Sequence, residues 1–523
     1  MNSFDYLVVG AYLAALIIFG YLLRQQNTEQ DYYLGGRELG WMPLTLSVMA
    51  TQLSAISFVS APAFVGLREG GGLQWLTFEL AVPLAMGIVM FLVAPPLYRA
   101  GIVSIYDFLD NRFGRSTRLL ISFSFQVVRS FSTGIMVYAI ALILEAVLGI
   151  PLWQSVIAVG LITLIYATSG GMKAVVYGDA VQMVLILGGI LLVTGYAIAD
   201  LGGMTEAVAE IDRDRLQAID ASALGFNGDE FGLFPMLFGG LVLYVSYYAC
   251  DQSQAQRILS ARNEGDMRRL LFANGLMRFP IVVLYCFAGL VIAASFGNDP
   301  ELLAKVPSDR PDYMMPIYIL ERLPNGVIGL LIVAMLSAAM SSLSSAVNSL
   351  AAATEKDLSM LGLIPHRPDK EIQMARLLSV FWGLVILFLS FFAGSIAPTV
   401  IEAINKVGSA LYGPILGVFL MAILQKKRSA LAANLGLLAG LALNLYFWLF
   451  VPDLFWMWWN VIGLAVTVII GTLVSLITKP DSDTEWRLLP QTPFATVRAY
   501  SSGLLVAFVF ILWVSWMAPS VLG

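Results

Sequence analysis

Apolar residues dominate fourteen stretches of the chain, at about 4–24, 40–66, 74–98, 118–148, 152–168, 175–199, 231–250, 270–295, 326–353, 375–395, 398–424, 429–450, 456–478 and 499–518. A helix needs about 20 apolar residues to cross the hydrocarbon core of a bilayer. The pattern therefore predicts an all-α polytopic membrane protein with about fourteen transmembrane helices. Three polar interruptions at membrane depth then carry the interest.

The first is Ser337-Ala-Ala-Met-Ser-Ser-Leu-Ser-Ser-Ala-Val-Asn348, inside an apolar span. At about 100° per residue, Ala338, Ser341, Ser342, Ser344 and Ser345 fan over less than half of the helix circumference. Lipid offers hydroxyls nothing. The arc faces either a neighbouring helix through small-residue packing or a small hard cation, which takes oxygen ligands. The second interruption, Met42-Pro-Leu-Thr-Leu-Ser-Val-Met-Ala-Thr-Gln-Leu-Ser-Ala-Ile-Ser57, is followed by Ala61-Pro-Ala63 and Gly70-Gly-Gly72. A helix broken there frees backbone carbonyls, which is tolerable only beside a cavity or an ion. The third, Tyr244-Val-Ser-Tyr-Tyr-Ala-Cys-Asp-Gln-Ser-Gln-Ala-Gln-Arg257, falls five spans later in the corresponding place. Paired interruptions in two five-helix halves point to an inverted-repeat transporter with its site near the midplane. The alternative is two polar helices that line a bundle for packing alone.

Composition narrows the classes. Of 523 residues, 59% are hydrophobic and 12% charged, which excludes a soluble globular chain, and no separate catalytic or signalling domain is expected. The first apolar run is membrane-length and ends at Arg24, so it is expected to stay as a helix rather than be cleaved as a signal. Cys250 and Cys286 lie in or beside apolar spans, which argues against a disulfide framework. The single histidine, His366, sits in a polar loop, and no nucleophile–base pair or metal-ligand spacing suggests an enzyme. No organic cofactor or nucleic-acid partner is expected. Alternate loops hold 21 of the 30 Lys and Arg against 6 in the opposite loops, which places both termini outside. Such a chain suits a plasma membrane, specifically a bacterial inner membrane.

Charges inside the spans mark candidate chemistry, because they normally face the interior and find a partner. Arg129 is expected to hold either a solute carboxylate or an internal acid, Glu79 foremost. Asp179 opens the sixth span, either as a helix N-terminal anion or turned inward to a cation. Glu402 and Lys406, four residues apart, are placed to neutralise one another. Tyr247 and Tyr248 are either a gate over the cavity or an interfacial anchor, and the tryptophans near 456–459 and 513–516 form interfacial belts.

Taken together, Tyr33-Leu-Gly-Gly-Arg37, Ser169-Gly-Gly-Met-Lys-Ala-Val-Val with Asp179, the Asp251-to-Arg257 stretch, the serine run and Gly413-Pro-Ile-Leu-Gly-Val-Phe419 resemble the sodium:solute symporter family over nearly the whole length. That family includes sodium–glucose, iodide, monocarboxylate and sialic acid transporters. The resemblance implies a ten-helix core of two inverted repeats. The units would be a first helix and loop (1–39), a first repeat (40–200), an extracellular loop (201–230), a second repeat (231–425) and three C-terminal helices (426–523). It implies a sodium site made by the carbonyls of Ala50, Leu53 and Ala338 with the hydroxyls of Ser341 and Ser342. It offers Asp179, Ser344 and Ser345 as a second sodium site, so one or two ions. For the solute it implies Ser54, Ser57, Glu79, Arg129, Tyr244 and Asn405. Ser57, Tyr244 and Met277 stand where the sugar transporters carry glutamine, asparagine and lysine, which speaks against plain galactose-type recognition. The expected activity is sodium-coupled import of a small polar solute, carboxylate-bearing or sugar-like, by alternating access. Its partners would be the solute, sodium ions and membrane lipid, with the protein a monomer. A proton-coupled transporter of the same fold, titrating Asp179 or Glu79, is the alternative, which the serine cluster disfavours because hydroxyls carry no protons at physiological pH. A sensor or channel is the third class.

Overall fold

A computed structural model describes residues 2–24, 26, 28–53, 55–363, 371–392, 399–426, 429–478 and 492–522. Ser54 and His366 lie outside the described residues. The long elements are α1 (Ser3–Leu22), α2 (Trp41–Gln52), α3 (Ala55–Gly66), α4 (Leu73–Arg99), α5 (Arg115–Leu148), α6 (Leu152–Asp200), α7 (Pro235–Cys250), α8 (Gln252–Leu259), α9 (Glu264–Gly297), α10 (Val327–Met360), α11 (Glu371–Ser390), α12 (Val400–Leu424), α13 (Ala430–Phe450), α14 (Met457–Ile477) and α15 (Phe494–Leu522). Among the described residues the only β contact is one isolated bridge, Leu39 to Ala261.

Among the described residues, eleven helices are long and apolar enough to cross a membrane, and α2 with α3, bent by 52°, makes a twelfth when the pair is counted as one span. Fourteen were expected, and the difference lies in two places. The runs 152–168 and 175–199 form one 49-residue element, α6, which bends at Gly171 (φ 55°, ψ −154°). An added Cβ there would stand 2.8 Å from the Tyr32 carbonyl oxygen, so both the dihedral and the close approach demand glycine. The run 231–250 contains the shorter apolar helix α7.

Two of the polar interruptions are real helix breaks. Leu53 leaves α2 with φ −83° and ψ 69°, and Asp251 separates α7 from α8 in an extended conformation, φ −95° and ψ 120°. The remaining one, the serine run, stays helical throughout α10. Burial explains the contrast. The apolar window of α10 is 89% buried while that of α1 is 17% buried, so α10 is the central post and its hydroxyls meet protein, not lipid. It packs against α6, α5, α11 and α1. Its N-terminus is tied to α1 by Asp5, whose Oδ1 accepts the N–H of Gly326 at 2.6 Å and of Gly329 at 2.8 Å. A carboxylate there satisfies unpaired amides and the positive end of the helix dipole.

Candidate solute and ion sites

Where α2 breaks, its last carbonyls lose their partners within the helix, and α10 supplies hydroxyls to meet them. Ser341 Oγ stands 3.1 Å from the Ala50 oxygen and 3.0 Å from the Ala338 oxygen. Ser342 Oγ stands 3.4 Å from both the Thr51 and Ala338 oxygens. Five oxygens from two helices thus cluster in a buried spot, a donor set that suits a small hard cation. Four of the five expected residues come together. The carbonyl facing Ser342 belongs to Thr51 instead of Leu53, which caps the helix through its N–H to the Met49 oxygen at 2.7 Å.

One turn further along α10 the picture differs. Asp179 Oδ2 accepts from Ser47 Oγ at 2.6 Å and from Arg257 Nη2 at 2.8 Å, with Thr51 Oγ1 at 3.5 Å. The Arg257 guanidinium also bonds Ser345 Oγ and reaches Ser47 Oγ through Nε at 2.7 Å. Ser344 and Ser345 both donate to the Ser341 carbonyl, at 3.1 and 2.6 Å. Asp179 is fully buried and Arg257 is 1% exposed. The cation between Asp179 and Ser345 is therefore a guanidinium of the chain itself. Arg257 is a core residue on α8.

Beside the two breaks lies a cleft of about 680 Å³, lined by Gln52, Ser57, Arg129, Tyr244, Tyr247, Arg278, Asn405 and Tyr412, with Trp75, Phe78 and Tyr285 as apolar walls. Two ion pairs frame it. Glu79 takes Arg278 in a two-bond grip, Nε to Oε2 at 2.7 Å and Nη2 to Oε1 at 3.0 Å. The Tyr244 hydroxyl, 3.0 Å from Glu79 Oε1, receives a bond from Arg278 at 2.7 Å. Arg129 pairs with Asp251 at the break between α7 and α8. Of the alternatives for Arg129, the internal acid is present, but it is Asp251 and not Glu79, because Arg278 on α9 faces Glu79 and the break carries Asp251 to Arg129. The four charges cancel in pairs, yet Arg129 Nε is buried without a partner.

Of the remaining expected residues, Ser57 and Asn405 line the cleft, and Asn405 Nδ2 also donates to the Ile401 carbonyl at 2.8 Å. Tyr247 lies against Arg129, its ring centre 5.6 Å from the guanidinium carbon, and edge-on to Tyr248 at 5.6 Å. Tyr248 is fully buried and its hydroxyl bonds Gln52 next to the α2 break, so it is no interfacial anchor. Glu402 and Lys406 do not neutralise one another: Glu402 Oε1 is 2.8 Å from Arg68 Nη2 instead. Sequence reasoning missed Arg278, Asp251 and Arg257 as counter-ions. Their signal was visible, since each is a charge within or beside an apolar run.

Residues 32–440 match the sodium:solute symporter family. The chain belongs to the sodium:solute symporter family. Its members are transporters, not enzymes, and sodium-coupled symport is the family's activity. Among its relatives, the human sodium/iodide cotransporter is 30% identical over 80% of this chain, and the match spans 65% of that protein's length. The human sodium-coupled monocarboxylate transporter 1 is also 30% identical, over 84% of this chain and 72% of that protein. Among solved structures, a substrate-bound, outward-open sodium-coupled sialic acid symporter superimposes with a TM-score of 0.83, at 23% identity over 92% of this chain and all of that one. A nucleobase-cation-symport-1 transporter in a closed conformation follows at a TM-score of 0.54, 13% identity, 91% of this chain and 98% of that one. These likenesses establish the fold.

Proposed function

We propose that this symporter imports a small organic monocarboxylate together with one sodium ion by alternating access. The observation that carries the solute is Arg129: a guanidinium on the wall of an aromatic-lined cleft, already neutralised by Asp251 but with Nε unpaired. A solute carboxylate satisfies that donor, and the apolar body lies among Trp75, Phe78 and Tyr244. The relatives named for monocarboxylates agree with this chemistry.

Sodium binds at the oxygens of Ala50, Thr51, Ala338, Ser341 and Ser342. It ties the end of α2 to α10 and so positions Gln52, which lines the cleft and holds Tyr248. Ion and solute thereby stabilise one conformation and each raises the other's affinity. Asp179, Ser344 and Ser345 take no second ion, because Arg257 supplies the positive charge there. The two breaks, at Leu53 and Asp251, fit a core of two inverted five-helix repeats, 40–200 and 231–425. Fourteen crossings follow if α6 spans twice and α7 once, and the charge bias of the loops then puts both termini outside. Tyr247, against Arg129, acts as the gate of the cleft.

The test is uptake of radiolabelled benzoate into proteoliposomes driven by an inward sodium gradient. Small carboxylic acids should compete and their amides should not. An arginine–carboxylate contact is worth about 1.5–3 kcal/mol, so Arg129→Gln should raise KM by roughly 10- to 100-fold while sodium-specific thermal stabilisation persists. Equal competition by amides, or loss of the sodium effect in the variant, would overturn the assignment.

A further inference from the structure

A second cavity, of about 450 Å³, lies on the same side as the N-terminal end of α12, between the loop at 228–230, the end of α13 and the start of α14. Lys406, Trp448, Trp456 and Trp459 line it, and Lys406 directly follows Asn405, a residue of the central cleft. Two hydrogen-bond donors on this lining go unused. Trp459 is 2% exposed and its indole Nε1 is buried without a partner. The Lys406 ammonium has no acid partner among the described residues and lies 5.7 Å from the ring centre of Trp448. Burying an indole N–H unpaired costs free energy that a ligand acceptor would recover.

Two of the three acids on the lining are engaged and the third faces solvent. Asp229 accepts the N–H groups of Gly225 at 2.9 Å and Asn227 at 3.1 Å, Glu230 pairs with Arg68 at 2.9 Å, and Asp453 is exposed to solvent at the rim. An ammonium and an indole N–H left free over tryptophan faces make a binding set for an aromatic or aliphatic carboxylate.

We propose that this cavity is an outer docking site for a small organic carboxylate, held by Lys406 Nζ and Trp459 Nε1 before the solute passes Asn405 into the central cleft. The proposal rests on reading the transported solute as a small carboxylate. No sodium oxygen borders the cavity, so occupancy here is independent of sodium, whereas occupancy of the central cleft is coupled to it.

The experiment is equilibrium binding of radiolabelled benzoate to the full-length protein in nanodiscs, in choline chloride without sodium. Saturable binding is expected, retained in Ser342→Ala and Arg129→Gln. It should weaken at least tenfold in Lys406→Met and in Trp459→Phe, which keeps an aromatic ring but removes the N–H. Sodium-specific thermal stabilisation, unchanged in both variants, checks that they fold. In sodium-driven uptake the same variants should raise KM for benzoate with Vmax unchanged. Absence of sodium-free binding, binding indifferent to both substitutions, or binding of benzylammonium in place of benzoate would overturn the outer site. Sodium-free binding that depends on Lys406, with no sodium-driven benzoate uptake, would uphold this site and refute the reading of the transported solute.

Discussion

Replacing Arg257 by glutamine should strand one of the most deeply buried carboxylates in the protein. Asp179 is fully buried, and its Oδ2 is held at 2.8 Å by Arg257, a residue itself 1% exposed. After the substitution Asp179 keeps the Ser47 hydroxyl at 2.6 Å but has no counter-charge, and its Oδ1 already has no partner. Removing one member of a buried pair costs about 3–5 kcal/mol, because the desolvation of the other charge goes unrepaid. In thermal unfolding that corresponds to a loss on the order of 5–10 °C. Asp179→Asn should be destabilising too, whereas Asp179→Asn with Arg257→Gln removes both charges and should recover most of the loss. The assay is the melting temperature of the purified protein in choline chloride for the four members of the cycle, where coupling appears as a non-additive recovery. Repeating it in sodium chloride separates the roles of the two cations. In Arg257→Gln alone, sodium should rescue stability more than in wild type, since the site then offers a bare carboxylate beside Ser345. An Arg257→Gln variant that melts with wild type, or a double variant that loses the sum of the two single losses, would show that the two charges do not stabilise one another.

Three further outcomes follow from the same geometry. Saturating sodium at a hundred times its dissociation constant should stabilise wild type by about 2.7 kcal/mol relative to potassium; Ser342→Ala should abolish that difference, and a shift that survives would make the oxygen cluster mere packing. Gly171→Ala should destabilise α6 and lower the melting temperature, since its φ of +55° is strained for alanine and the new Cβ would lie 2.8 Å from the Tyr32 oxygen; an unchanged melt would show that the bend relaxes freely. Burial pushes the Asp312 carboxyl up to about 6, against the lowering effect of bonds from Ser60 and the Val400 N–H at 3.2 Å. The folded protein therefore binds this proton more tightly than the unfolded chain, so stability should fall as pH rises from about 4 to 6 and Asp312→Asn should flatten that fall; an identical pH–stability profile for the variant would contradict it.

Much of the architecture is a local property and was readable as such. The length of an apolar run and the polarity of its interruptions are set by neighbouring residues, so the helical membrane fold, the break near Leu53 and the hydroxyl arc of Ser341 and Ser342 could be named in advance. The number of crossings was less legible, because a kink at one glycine joins two runs into one element. Pairing was not legible at all. A buried charge requires an opposite charge, but several in the chain would serve equally well by that rule. Helix packing made the choice, bringing Arg129 to Asp251 across 122 residues, Asp179 to Arg257 across 78 and Glu79 to Arg278 across 199. The composition of the sites was thus written along the chain. Which cation faces which carboxylate, and hence which donors stay free for a solute, was decided only when the helices came together.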